Sequence, residues 1–387
     1  MVSPDHLSET SNPSAAPHVL KRATSGAPFI TTPAPNVPDW SEVAADAVLF
    51  GAVAASAAQQ TATATAAMVA AAALALVAAR TAQGGPPPRV GDPFILRDDA
   101  QGRYLLYKGQ TPRVSVWAST NLVDWARLEN PAFVSPASLD CAAIWAPEVR
   151  RFRDGKYYMF ATVLTHQQDA DCIESMEPGW TPDAAHRRRR LGTWVFRANA
   201  PEGPFEVWSE GPVTPKDWAA LDGTAFSEGG RPYMVFCHEW TQVRDGRMDA
   251  VEMSKDLKRA AGEPFVLFRA SELYPPGGSW RDYCTDGPWM HRAKDGSLFM
   301  LWSTYDGGSY CIVSAKSASG KLAGPWSGHK IVRRGQSGHA MVFRTFDGRT
   351  AVAFHSPNNG EERRLRIHEL LETPDSLEIG EWIGGEK

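Results

Sequence analysis

The sequence predicts an all-β protein folded as a five-bladed β-propeller, and three observations carry that expectation. One pattern recurs five times from Gly91 onward. Each copy joins two runs of apolar, aromatic and β-branched residues through an Asp-Gly-type turn, the strongest short-range hairpin signal. Each hairpin is followed by a third short run, and the copies return at irregular spacings of ~50–75 residues, as expected of three- or four-stranded blades repeated around an axis.

The first copy is Asp92-Pro93-Phe94-Ile95-Leu96, a turn from Asp99 to Gly102, and Arg103-Tyr104-Leu105-Leu106-Tyr107. The second is Ala146-Pro147-Glu148-Val149, a turn at Asp154-Gly155, and Lys156-Tyr157-Tyr158-Met159-Phe160. The third leads from Asp222-Gly223-Thr224-Ala225-Phe226 through Glu228-Gly229-Gly230 to Pro232-Tyr233-Met234-Val235-Phe236. The fourth pairs Asp286-Gly287-Pro288-Trp289-Met290 with Ser297 to Trp302 across Asp295-Gly296, and the fifth pairs Gly338 to Phe343 with Thr350 to Phe354 across Asp347-Gly348. The third runs are 114–119, 193–198, 250–254, 311–317 and 365–370. In four copies an aromatic then follows a turn, at Trp125, Phe205, Phe265 and Trp326. The stretch from Thr165 to Leu191 reads as a loop inserted in the second blade, with Arg187 to Arg190 as a solvated run.

Residues 1–88 differ in kind, passing from a Ser, Thr, Pro and Ala mixture through an Ala-dominated stretch to Gly84-Gly85-Pro86-Pro87-Pro88. They read as a leader and linker, and residues 89–387 as the propeller. The apolar run Ala66 to Ala79 has 14 residues, too few to span a ~30 Å hydrocarbon layer, so no membrane span is expected. Its length suits a secretory signal core of ~7–15 residues, but the cationic segment that should precede one is missing between Arg22 and Arg80. A periplasmic or secreted protein, with translation starting near Met68, and a cytoplasmic one with an Ala-rich tail are both open.

Over all 387 residues, 40 basic and 44 acidic side chains leave a formal charge of −4. That near-balance lacks the basic field a phosphate backbone requires, so no nucleic-acid partner is expected. Five cysteines without CxxC spacing support neither a zinc site nor a disulfide framework, and read as small buried hydrophobes. Fourteen tryptophans suit either β cores or sugar-stacking surfaces. Oligomeric state is not legible.

In a propeller the innermost strand of each blade lines the central channel, so equivalent positions form a ring. If the first strand of each hairpin is innermost, Asp92, Ala146, Asp222, Asp286 and His339 converge at one end, with His238-Glu239 and His355-Ser356 returning to the same face and Trp145 and Glu148 flanking. A lone Asp before Pro or Gly commonly serves only its turn. Three at one repeat position gather like charges in a concave space, which is more typical of a site than of a scaffold. Paired carboxylates beside Trp suit glycoside hydrolysis. Neither a Gly-x-Ser-x-Gly elbow nor an HExxH motif occurs.

At Gly91-Asp92-Pro93-Phe94-Ile95, Trp145-Ala146-Pro147-Glu148-Val149, Gly155-Lys156-Tyr157-Tyr158, Leu221-Asp222-Gly223, Asp286-Gly287-Pro288 and Ser337-Gly338-His339 the chain resembles glycoside hydrolase family 43. These are five-bladed propellers acting on arabinose- and xylose-containing polysaccharides, and the likeness runs from about Val90 to the C-terminus. The resemblance implies an inverting hydrolase of α-L-arabinofuranosyl or β-D-xylosyl linkages with an oligosaccharide or polysaccharide substrate. Asp92 resembles the base that activates water, Asp222 the carboxylate that orients the acid and tunes it, and Asp286 the general acid. Trp145, Glu148, His238, Glu239 and His339 are the expected substrate contacts. No cofactor is required by the resemblance; in some members a channel histidine like His339 contacts a metal ion or water, so a divalent cation there is open. The family usually has Glu before Gly-Pro where this chain has Asp286, one methylene and roughly 1.5 Å shorter; Glu239 is the alternative donor. That departure keeps open a propeller that binds sugar without cleaving it. Fructosyl chemistry is the third reading, against which the lack of an Asn-Asp-Pro opening counts.

Overall fold

The computed structural model describes residues 84–168, 177–178, 189–273 and 283–387. Almost all of its regular structure is β, arranged in five sheets, each built from one contiguous piece of chain. Blade one holds β1 (Phe94–Asp98), β2 (Arg103–Gln110), β3 (Arg113–Ser119) and β4 (Ala126–Arg127), with β5 (Phe133–Val134) also paired to β3. Blade two is β6 (Ala143–Arg151), β7 (Tyr157–Gln168), β8 (Arg189–Ala198) and β9 (Glu206–Val207). Blade three is β10 (Ala220–Glu228), β11 (Arg231–His238), β12 (Arg247–Glu252) and β13 (Phe265–Arg269). Blade four is β14 (Asp286–Arg292), β15 (Leu298–Asp306), β16 (Ser309–Ser317) and β17 (Trp326–Arg333). Blade five is β18 (Gly338–Arg344), β19 (Thr350–His355), β20 (Leu365–Glu372) and β21 (Leu377–Gly385).

Neighbouring strands within each blade are antiparallel and follow chain order because tight turns join them. At Asp154-Gly155 and Asp295-Gly296 the aspartate accepts the N–H two residues on, at 2.9 and 2.8 Å, while each glycine takes a positive φ, 77° and 87°. That is the chemistry by which Asp-Gly closes a hairpin. The first strands β1, β6, β10, β14 and β18 each pack against the first strands of both neighbouring blades, which closes a ring. Buried Leu, Val, Ile, Phe and Trp side chains fill the spaces between sheets, Trp302 and Tyr310 among the largest.

The ring has a seam between blades five and one. Val90 donates its N–H to the carbonyl of Arg363, Arg89 bridges Arg364, and Gly385 donates to the carbonyl of Leu122. Gly85 already pairs with Trp125, so the chain meets blade one a few residues before the expected boundary at 89. The expected leader up to residue 83 and the run Ala66 to Ala79 lie outside the described residues. In the expected inserted loop, the strands run further than the sequence suggests, β7 to Gln168 and β8 from Arg189; most of the rest lies outside the described residues. Cys141, Cys237, Cys284 and Cys311 are buried thiols without disulfides, and Cys172 lies outside the described residues. Among the described residues no helix is long and apolar enough to cross a membrane.

Candidate active site

At the same point in blades two to five the first strand breaks register with the second for two residues, after Trp145, Leu221, Asp286 and Gly338. The residue after each break is left-handed: Ala146 at φ 44°, Asp222 at 56°, Gly287 at 48° and His339 at 53°, with Asp92 matching at 49° ahead of β1. The shared repeat position in blade four is therefore Gly287, and Asp286 stands one residue earlier, where Leu221 and Trp145 stand in their blades. Glycine takes this conformation at no steric cost, and a Cβ at 287 would lie 2.9 Å from the His339 ring. Ala146 shares the bend without a functional side chain, so the bend belongs to the scaffold and the chemistry is hung on it.

The bends turn Asp92, Asp222 and His339 toward one small axial cavity. Nδ1 of His339 lies 3.2 Å from Asp92 Oδ1 and 3.7 Å from Asp222 Oδ2, and its backbone N–H donates to Ser303 Oγ at 2.8 Å. Behind Asp92, His355 Nδ1 accepts the Asp92 backbone N–H at 3.2 Å, and its Nε2 faces Asn358 Oδ1 at 3.2 Å. One ring nitrogen that accepts and one that donates describe a neutral imidazole, and burial holds the His355 pKa down at about 4. Burial alone would raise the Asp92 carboxyl, but the charge and hydrogen bond of His339, with His355 and Arg363 behind, outweigh it and hold Asp92 well below the usual carboxylate range. Burial opposes charge on His339 too, yet the Asp92 carboxylate prevails and keeps its pKa above the ordinary histidine value.

Asp222 is the opposite case. Its backbone N–H donates to Thr162 Oγ1 at 2.8 Å and its Oδ2 accepts the Gly287 N–H at 3.2 Å. Burial first, then the adjacent Asp286 carboxyl with which it shares a hydrogen bond, push its pKa well above the usual range. Two like charges are not held side by side in one dry space, so one of the carboxyls has its pKa strongly raised. Asp286 also accepts a 2.5 Å hydrogen bond from the Tyr310 hydroxyl. Glu239 is close enough to feel Asp286; burial, opposed by the Thr241 hydroxyl at 2.5 Å, lifts it to about 7.

Two expected substrate contacts are buried and already partnered within the protein. Glu148 is buried with both oxygens engaged: it accepts from Arg150, from Thr224 Oγ1 at 2.7 Å and from the Ala225 N–H at 3.1 Å. Because β6 resumes its alternation after the break, its side chain joins blade two to blade three at the wall of the axial cavity. His238 is 4% exposed, stacked on Trp218 at 4.1 Å and bonded to Gln242 at 2.7 Å; burial takes its pKa to about 3. Trp145 is 37% exposed, an indole free to meet a sugar face. Sequence reasoning missed Tyr310, Asn358 and Arg363, which come from a third strand and a loop with no motif of their own. A groove of about 400 Å³ opens beside the axis between blades four and five, lined by Tyr305, Gln336, Pro357, Asn358, Asn359 and Glu362.

Asp222, Asp286 and His339 present ligand atoms within 4.8 Å of one another, which tests the cation left open near His339. They offer two carboxylate oxygens and one imidazole nitrogen, so a hard divalent cation held there would draw the rest of its six or more ligands from water or substrate.

The glycosyl hydrolases family 43 profile matches residues 87–374. A probable arabinan endo-1,5-alpha-L-arabinosidase A from Aspergillus fumigatus is 24% identical over 238 residues, 60% of this chain and 63% of the fungal protein's length. The solved structure of an endo-arabinase from Bacteroides thetaiotaomicron superposes with a TM-score of 0.64 at 30% identity, covering 76% of this chain and 99% of that one. An alpha-L-arabinofuranosidase from Lactobacillus brevis shares the fold at 18% identity and a TM-score of 0.57, covering 77% and 94%.

Proposed function

Because the chain belongs to glycosyl hydrolases family 43, we propose that it hydrolyses glycosidic bonds of pentose polymers, arabinofuranosyl linkages first and xylosyl linkages second. The observation that carries this reading is the split between two carboxyl environments: Asp92 paired with His339 and held well below the usual carboxylate range, and Asp222 pushed well above it by burial and by the Asp286 carboxyl to which it is hydrogen-bonded. Carboxyls pushed apart in this way are what acid and base catalysis at one bond require. Asp92 takes a proton from water as the water attacks the anomeric carbon. Asp222 orients Asp286 and hands it, through their shared hydrogen bond, the proton that Asp286 passes to the departing oxygen. His339 balances the charge on Asp92, Trp145 offers a stacking face, and the groove between blades four and five gives the neighbouring sugars a path. Arabinofuranosyl specificity is favoured by the likeness to the endo-arabinase and the probable arabinosidase.

Two measurements test the proposal. Attack by water predicts that NMR of the first product finds the inverted anomer and that the Asp92 and Asp286 carboxyls lie ~6.5–9.5 Å apart; a retained anomer points to a nucleophilic route. Asp286→Ala should lose ~100-fold or more on an arabino-oligosaccharide, within the usual range for a general acid, and far less on a dinitrophenyl arabinofuranoside, whose leaving group needs no proton. If Glu239→Ala shows that selective loss instead, the donor is Glu239.

A further inference from the structure

Tyr310 lies in the third strand of blade four, far from every motif that marks the site, yet it touches both halves of it. Its hydroxyl donates to Asp286 Oδ2 at 2.5 Å. Its ring lies parallel to His355, 11° between planes and 5.8 Å between centroids, and His355 in turn holds the Asp92 backbone N–H. The ring is fully buried, pressed against Gly338 so closely that a Cβ there would fall 1.7 Å from Cε1. It therefore has no room to swing, and the backbone of blade five sets where its hydroxyl stands.

We propose that Tyr310 is a positioning residue for the proton donor: with His355 it forms a two-ring brace that fixes Asp286 relative to Asp92 across blades four and five. The proposal rests on reading Asp286 as the donor. Proton transfer needs the donor within hydrogen-bond reach of the departing oxygen, and ~1 Å of misplacement can cost ~100-fold. A short side chain such as Asp, with few torsions of its own, is held firmly by one short hydrogen bond from an immobile ring. The same brace leaves no space for a longer acid, since another methylene advances the carboxyl by ~1.5 Å toward an oxygen already at 2.5 Å.

The test is a double-mutant cycle on Asp286→Glu and Tyr310→Phe, with kcat and KM measured on an arabino-oligosaccharide and on a dinitrophenyl arabinofuranoside. Tyr310→Phe keeps the ring and is expected to lower kcat on the oligosaccharide ~10–100-fold, at least tenfold more than on the activated substrate, with KM changed less than about threefold. Asp286→Glu alone is expected to lose more than Tyr310→Phe. The double variant, which removes the oxygen in the longer acid's way, should recover at least tenfold over Asp286→Glu, a coupling that independent sites do not show. Additive losses, or a KM that rises as much as kcat falls, overturn the brace. Asp286→Ala run in parallel separates the two readings. Equal loss on both substrates there removes the donor assignment itself, whereas selective loss with an additive cycle removes only the role of Tyr310.

Discussion

Glu148 and His238 show how one side chain's surroundings decide its role. Both stand beside residues that face the axis, and both read from sequence as sugar contacts. Glu148 instead forms a buried pair with Arg150, whose guanidinium also lies 4.7 Å from the Trp289 ring centroid, so three blades meet on two side chains. Removing one member of a buried ion pair strands the other, at about 3–5 kcal/mol. Glu148→Ala should therefore lower the unfolding free energy from urea titration by an amount in that range while KM stays within about twofold; a large KM effect with unchanged stability would make Glu148 a substrate contact. Asp92, Asp222 and His339 could be read from sequence as axial because each occupies a repeat position that the structure also brings to the axis. Tyr310 and Arg363 could not, since they reach the site by tertiary packing and no local pattern marks their strands.

At the scale of elements, the turns were the most legible feature, because Asp-Gly chemistry is local and acts through residues adjacent in sequence. The left-handed break in each first strand was not legible: it falls on Asp, Ala, Asp, Gly and His, so no residue type announces it. That is why Asp286 reads from sequence as the equivalent of Asp222 when it sits one residue earlier. A non-glycine residue in this conformation costs roughly 1 kcal/mol, and Ala146 bears that cost with no side-chain chemistry in return. Ala146→Gly is therefore expected to raise the thermal midpoint slightly, by up to about 1 kcal/mol in stability, with activity retained. A destabilised variant would mean that the Ala146 methyl packs more than the bend costs.

For the whole molecule, burial sets two families of groups titrating against each other. His238, His329 and His355 are held neutral, at about 3, 4 and 4, so the unfolded chain binds protons that the native one refuses. Their contribution is complete above the ordinary histidine value and is lost as pH falls from about 6.5 toward 4. Glu239, raised to about 7, has the reverse sign: its contribution is complete below about 4.5 and is lost as pH rises through 7. The two partly cancel between pH 4.5 and 6.5. Glu239→Gln should unmask the histidines and steepen the fall of stability on acidification by about 1.4 kcal/mol per pH unit, read from urea midpoints across that window; an unchanged slope would mean Glu239 is ionised throughout. The seam leads to a different kind of vulnerability. Val90 and Arg363 tie blade one to blade five, and two residues past Val90 the chain reaches Asp92, held from blade five by His355. The clasp of the ring and the hold on Asp92 are thus one short stretch of chain. Heating is therefore expected to abolish activity at a lower temperature than it abolishes the β-sheet circular dichroism signal, so this protein would wear out as a tool before it came apart as an object.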